Sequence, residues 1–343
     1  MEGWCMMNRR IFGLITACAV FAGYTTASAQ DLKEIIIAAP AGAGVSYYPL
    51  FSAMGEGYFA DEGLAIRVEG VSGSAAVLQV LAAGQAQMGN AGPGAVLAAR
   101  ENGVDALYLY NYFAKSQFSI MVKEDADVSV PLDLKGKRIG VGTVDGAEVS
   151  FVRSVLTDAG MTEGDDYEFI VVGDGGMAAV GFDRGEIDAY ASATRDAAIL
   201  GLRGIPLKDI TPEKFMAYFG NGFITTRDFM ENNPEVMVGF GRALVRGAEF
   251  GADPANLPKV LEHAKIGNPQ EGEDPAFATS LFHTIQGRIT PTDLSNGWGY
   301  HHPEQWKLWE DALIASGGLK NRLDDLDKAY TNDFVEKWNE ARN

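Results

Sequence analysis

Two stretches decide how this chain is read: Ala83-Gly84-Gln85-Ala86-Gln87-Met88-Gly89 and Arg184-Gly185-Glu186-Ile187-Asp188-Ala189-Tyr190. Each runs from a helix end through a glycine into a strand, and each is followed by an Ala-rich helix start. Two similar α/β lobes explain the echo more economically than one continuous sheet. The 343 residues leave room for two domains of ordinary size.

Upstream of the first stretch, Ile35-Ile36-Ile37-Ala38-Ala39 is a continuous apolar run suited to a strand covered on both faces. Tyr47, Phe51, Met54 and Tyr58 then fall on one helical stripe that ends near Gly55 to Gly57 or just beyond. Ser74 reads as an N-cap and Gly84 as the residue that closes that helix. Residues 107–112 and 118–122 read as strands, with Tyr108, Tyr110 and Tyr112 on one face by simple alternation. Ile139-Gly140-Val141 and a helix over 146–158 open a second α/β unit. From about Asp228 strand signals stop, and helical periodicity runs over 236–250, 257–264, 277–286, 302–315 and 326–341. The expected fold class is α/β with a helical C-terminal layer.

Composition narrows the function. With 47% hydrophobic and 22% charged residues the chain matches a globular protein, and a formal net charge of −18 opposes nucleic-acid binding through counterion release. Asn8, Arg9 and Arg10, the apolar stretch 11–23 and Ala27-Ser28-Ala29 read as a signal peptide over 1–29, which places the mature protein in the periplasm. Ile15-Thr16-Ala17-Cys18 is a rival lipoprotein-type processing site. Cleavage after Ala29 removes both cysteines, Cys5 and Cys18, leaving no thiol for redox chemistry or metal ligation.

Catalytic patterns are missing: there is no G-x-S-x-G, no H-E-x-x-H and no Walker loop, and Gly140-Val141-Gly142 lacks its third glycine because Asp145 stands there. His263, His283, His301 and His302 read as solvated or capping residues rather than metal ligands. No catalytic residue, metal or cofactor is expected. The positive signal is a set of strand-to-helix turns rich in small and hydroxyl residues: Gly44-Val45-Ser46-Tyr47, Ser72-Gly73-Ser74-Ala75, Asn90-Ala91-Gly92-Pro93, Thr143-Val144-Asp145-Gly146-Ala147 and Ser192-Ala193-Thr194-Arg195. In an α/β sheet such turns lie at the carboxyl ends of strands, and the helix N-termini behind them favour an anion. Plain helix capping explains any one of them equally well. Arg195 opposes its own helix dipole, which a ligand carboxylate or sulfonate would account for, as would a partner such as Asp196 or Glu148. Asp145 and Glu148 in turn point to a cationic or hydrogen-donating group in the pocket.

Tyr48-Pro49-Leu50-Phe51, the run Gly55-Glu56-Gly57-Tyr58-Phe59-Ala60-Asp61-Glu62-Gly63-Leu64, Asp133-Leu134-Lys135-Gly136-Lys137-Arg138-Ile139-Gly140-Val141 and Gly185-Glu186-Ile187-Asp188-Ala189 together resemble the substrate-binding proteins of ABC importers for nitrate, taurine, alkanesulfonates and thiamine-pyrimidine precursors. The resemblance covers roughly residues 33–200. It implies a two-lobe periplasmic binding protein of the type II-like class, closing like a flytrap about two hinge crossings, here placed near 113–118 and near 222–226. Lobe 1 would comprise 30–115 plus 226–343 with the C-terminal helices, and lobe 2 would comprise 116–225. The implied ligand positions are Ser46, Tyr47, Gly73, Ser74 and Asn90 from lobe 1, with Thr143, Gly146, Ala147, Thr194 and Arg195 from lobe 2. The implied function is capture of a small organic anion (a sulfonate, carboxylate or aromatic or heterocyclic acid) by a monomer that delivers it to an inner-membrane permease and its ATPase. An exported enzyme acting on a small heterocycle and a ligand sensor for a membrane receptor are the alternatives. Ser192-Ala193-Thr194-Arg195-Asp196 departs from the aromatic and Asp-Pro residues often found there, so the ligand itself stays open.

Overall fold

The computed structural model describes residues 32–40, 42 and 44–340; the expected signal peptide and Cys18 lie outside them. Among the described residues ten strands form: β1 Lys33–Pro40, β2 Leu64–Val71, β3 Met88–Ala91, β4 Ala106–Tyr110, β5 Phe118–Lys123, β6 Lys137–Val141, β7 Tyr167–Val171, β8 Ala189–Ala193, β9 Leu207–Asp209 and β10 Gly222–Thr226. They assemble into two five-stranded sheets, β2-β1-β3-β10-β4 and β7-β6-β8-β5-β9. The two follow one plan. β1 pairs in parallel with β2 and β3, and β6 does so with β7 and β8, whereas β10 and β5 run antiparallel to the central strands β3 and β8.

The quoted echo is therefore structural. Gly84 and Gly185 take φ values of 67° and 64°, a left-handed conformation that costs glycine little, and each closes a helix just ahead of a central strand.

The chain leaves the first sheet after Tyr110 and enters the second at Phe118; it returns between Asp209 and Gly222. The return crossing is thus upstream of the expected one, because Gly222–Thr226 is itself β10, inside the first sheet. Phe223 and Ile224 explain why: both are fully buried, one in each of the two large cores. Pro212, Gly220 and Asn221, residues suited to turns, stand in the real crossing.

The tyrosine stripe is also corrected. The pairing of β10 with β4 shifts register between Phe223 and Ile224, so Leu109 is an extra residue in the ladder. Tyr108 consequently joins the core of Phe219 and Trp306, while Tyr110 and Tyr112 join that of Phe223 and Trp338.

Helices Tyr48–Gly55, Pro234–Ala252 and Pro275–Ile289 share the core that covers one face of the first sheet. The first two approach so closely that a Cβ on Gly247 would lie 2.0 Å from the Pro49 carbonyl oxygen. Helix Pro303–Ala315 behaves differently: its Trp306, Trp309 and Leu313 pack in one core with Phe151 of lobe 2 and Val96 of lobe 1. The C-terminal region is therefore more than a covering of lobe 1. The helix expected over 326–341 is broken, because Ala329 and Thr331 exchange backbone hydrogen bonds with Tyr108 at 2.9 and 3.0 Å and cap the free edge of β4, leaving a short helix Val335–Asn339. His301 is not solvated. It is fully buried among Tyr108, Trp306 and Tyr330, and burial pushes its pKa down to about 3, so it is a neutral core residue. His302 occupies the N-cap position of the Pro303–Ala315 helix.

Candidate ligand-binding site

A cavity of about 380 Å³ lies between the two sheets, bounded by the strand-to-helix turns of both lobes. Ser46, Tyr47, Gly73 and Ser74 line it from lobe 1, and Thr143, Gly146, Ala147, Thr194 and Arg195 from lobe 2. Asn90 does not reach it: the side chain is fully buried behind Tyr47, whose hydroxyl donates to Asn90 Oδ1 at 3.0 Å. Asn90 supports the wall instead of forming it.

The lobe 1 wall is neutral, and its polar groups are largely committed to one another. Helix Gly73–Ala82 begins two residues earlier than an N-cap at Ser74 requires, with Ser72 in the N-cap position, so Ser74 lies in the first turn and its Oγ accepts the Gly92 N–H at 3.0 Å. The Tyr112 hydroxyl donates to the Ser46 carbonyl at 2.9 Å, and the Tyr112 ring lies 5.7 Å from that of Tyr47. Gly73 combines a φ of 78° with a close approach to lobe 2, since a Cβ there would lie 3.1 Å from Thr143 Oγ1. A side chain at this position would be strained and would also obstruct the lobes.

The lobe 2 wall is charged. Arg195, the one cation lining the cavity among the described residues, donates through Nε to Glu271, a carboxylate 76 residues further along the chain. The other oxygen of Glu271 accepts the Gly44 and Val45 N–H groups at 2.9 and 2.7 Å. Glu271 therefore ties the first turn of lobe 1 to a helix of lobe 2, and it holds the guanidinium expected to hold the ligand. Asp196, weighed from the sequence beside Glu148 as a structural partner, stands further off at 3.7 Å.

Three more carboxylates complete this wall: Glu148, Asp174 and Asp196. Each stands at a helix N-terminus, in the first turn of Ala147–Asp158, just ahead of Gly176–Asp183 and in the first turn of Thr194–Leu202. The chain's own acids thus occupy the favourable ends of these dipoles. Burial pushes Glu148 up to about 7, and the negative charges of Asp174 and Asp196 add to the shift. Burial likewise lifts Asp196 to about 7, with Asp174 adding, while Arg195 and backbone hydrogen bonds from Ala193 and Gly175 work against it. Asp174 is also raised by burial. Gly142 makes room for the cluster, since a Cβ there would lie 1.9 Å from Asp174 Oδ1 and 3.4 Å from Glu148 Oε1.

Gln117 and Asn221, one from each crossing, also line the cavity. They are 9% and 4% exposed, and their side-chain oxygens have no hydrogen-bond partner; nor has Thr143 Oγ1. Buried polar atoms are rarely left this way without a ligand or water to satisfy them. The sequence reading notes Glu148 but misses Asp174, Gln117, Asn221 and Glu271. For Gln117 and Asn221 the available signal is their position beside the crossings.

A family model described as NMT1/THI5 like matches residues 45–256. The riboflavin-binding protein RibY of Chloroflexus aurantiacus is 25% identical over 337 residues, which cover 94% of each chain. Among solved structures, the periplasmic nitrate-binding protein NrtA of Synechocystis superposes with a TM-score of 0.73 at 13% identity, over 91% of this chain and 89% of that one. The alkanesulfonate-binding protein SsuA of Xanthomonas axonopodis pv. citri, solved with MOPS bound, gives a TM-score of 0.68 at 17% identity, over 87% of this chain and 98% of that one. These likenesses agree with the two-lobe periplasmic binding protein fold, and the family match spans more than half of the sequence: the chain belongs to the NMT1/THI5-like family.

Proposed function

We propose that the mature chain is the periplasmic solute receptor of an ABC importer. It captures a small molecule between its lobes and delivers it, as a monomer and without chemical change, to an inner-membrane permease and its ATPase. The observation that carries this reading is the interlobe cavity in which Gln117, Asn221 and Thr143 keep buried polar atoms uncommitted. A ligand that satisfies atoms of both lobes and of the crossings between them binds the closed form better than the open one, and that difference drives hinge closure. The family and the ligand-binding names of the relatives support the same reading. Among the described residues no helix is long and apolar enough to cross a membrane.

The ligand class expected from the sequence, an organic anion, relies on Arg195 and on free helix N-termini. Glu271 engages the first and Glu148, Asp174 and Asp196 stand at the second, so the cleft favours a ligand that donates hydrogen bonds. Riboflavin, named for the relative RibY, carries such donors in its hydroxyls and imide N–H.

Native mass spectrometry of the purified mature protein, followed by a thermal-shift screen of metabolites, tests the proposal. One small molecule bound per chain and recovered unchanged is the expected result, with about 2.7 kcal/mol of stabilisation at 100 times its dissociation constant. Turnover of the bound molecule would instead make the protein an enzyme, and a metabolite screen without a single hit would remove the receptor reading.

A further inference from the structure

Across the cavity the chemistry is lopsided. Lobe 2 presents Glu148, Asp174 and Asp196, and the cationic charge of Arg195 beside them is already engaged by Glu271. Tyr190 lies behind this wall, its hydroxyl donating to the Gly173 carbonyl, and Tyr47 faces it from lobe 1 with its hydroxyl donating to Asn90. Neither tyrosine brings a positive charge. Among the described residues no group of three or more His, Cys, Asp or Glu is arranged to hold a metal ion, so the missing counter-charge is not a metal held by such a cluster. The uncommitted oxygens of Gln117 and Asn221, both more than nine-tenths buried, add two acceptors to the same space.

We infer that the ligand turns a cationic nitrogen group, an ammonium or an amidinium, toward Glu148, Asp174 and Asp196 of lobe 2, with the amide oxygens of Gln117 and Asn221 taking its remaining N–H bonds. This rests on the receptor reading and names the ligand chemistry of that same cleft. A bound cation lowers the energy of ionised carboxylates that otherwise repel one another in a partly desolvated wall. An N–H donor also satisfies amide oxygens that an anion would leave unpaired. An organic anion would add a further negative charge to the wall.

The test uses two probes of similar size and opposite charge, benzamidinium and benzenesulfonate, on ligand-free mature protein. Binding is followed by the ¹³C carboxyl resonances of the cleft acids and by calorimetry. Benzamidinium is expected to bind at least tenfold more tightly than benzenesulfonate at pH 8. It is also expected to weaken as pH falls through about 7, where Glu148 and Asp196 take up protons while the probe stays charged. Glu148→Gln combined with Asp196→Asn should remove the preference; both substitutions keep the side-chain shape, and circular dichroism checks the fold. Preferential binding of benzenesulfonate in the cleft would overturn the inference and leave the receptor reading intact. Absence of cleft perturbation by either probe at tens of millimolar would also overturn it, whereas the receptor reading falls if the metabolite screen fails or the bound molecule is turned over.

Discussion

β3 and β8 hold the same place in their sheets, and each passes directly into a helix. After β3 the turn carries no charge: Gly92-Pro93 follows Asn90 and Ala91, and the Gly92 N–H is closed by Ser74. After β8 the turn reads Thr194-Arg195-Asp196, with a cation and an acid in the first helical turn. One backbone plan therefore supplies a self-satisfied wall on one side of the cavity and a charged wall on the other. The shared strand order brings turns of both lobes to one cavity, and the residues in those turns make its two walls chemically different.

The largest effect should come from exchanging equivalent residues of the two lobes. Gly222, first in β10, pairs with Ala91, and Phe118, first in β5, pairs with Ala193. The backbones match but the space does not: a Cβ on Gly222 would lie 2.3 Å from the Tyr108 ring and 2.7 Å from the Tyr110 carbonyl oxygen. Gly222→Phe should abolish cooperative unfolding as read by circular dichroism. On the other side, Phe118→Ala, which truncates the ring without adding a glycine's backbone freedom, removes a ring packed 5.9 Å from that of Phe151 and should cost about 3 kcal/mol in urea unfolding. Similar losses from both substitutions would show that the two lobes are more alike in packing than their sequences imply.

The tie between the lobes should rank next. Glu271→Ala would strip Arg195 of its partner and leave the Gly44 and Val45 N–H groups uncapped. We expect a loss of about 2–3 kcal/mol, with Glu271→Gln losing less because an amide oxygen still caps the turn. Small-angle scattering of the ligand-free protein should show a larger radius of gyration for the alanine variant. An unchanged radius would mean that Glu271 stabilises its own lobe without joining the two.

The charged wall should also leave a mark on stability against pH. Asp196 titrates near its ordinary value when unfolded and near 7 when folded, so between about pH 4 and 7 the folded chain binds more protons. Its contribution is therefore present below pH 4 and is lost as pH rises through 7. Asp196→Asn should raise the stability of the ligand-free protein at pH 8 by at least about 2 kcal/mol, the whole shift being equivalent to about 4 kcal/mol, and change it little at pH 4. The neutral wall offers a control, because Ser74→Ala should give the same change at both pH values.

The share of this site that could be read from sequence follows from how local its causes are. Gly84, Gly185 and the small-residue turns mark strand and helix boundaries within a few residues, so nine of the ten expected positions line the cavity. Asn90 shares the boundary signature but is fully buried behind Tyr47, on a strand paired with β10 from more than 100 residues downstream. Glu271 joins the site only after the chain has crossed twice, and no local pattern foretells that, while Gln117 and Asn221 carry no signal beyond their place beside the crossings. The register slip at Leu109 is equally silent, since period-2 alternation carries no sign of one inserted residue.

The smallest effect should sit in the self-satisfied wall, and it bears on whether that wall has a role beyond packing. Tyr47→Phe keeps the ring against Tyr112 but deletes the donor to Asn90 Oδ1, a buried acceptor whose amide nitrogen also has no partner. The loss should be about 1 kcal/mol in the ligand-free protein, because one buried hydrogen bond disappears while the apolar contact survives. If the neutral wall only supports the cleft, benzamidinium affinity should move by less than a factor of about two. If affinity instead falls tenfold, about 1.4 kcal/mol, while stability changes by the same 1 kcal/mol, the Tyr47 hydroxyl turns from Asn90 to the ligand on closure. The two walls would then share recognition, and lobe 1 would contribute polar contacts that only the closed form reveals.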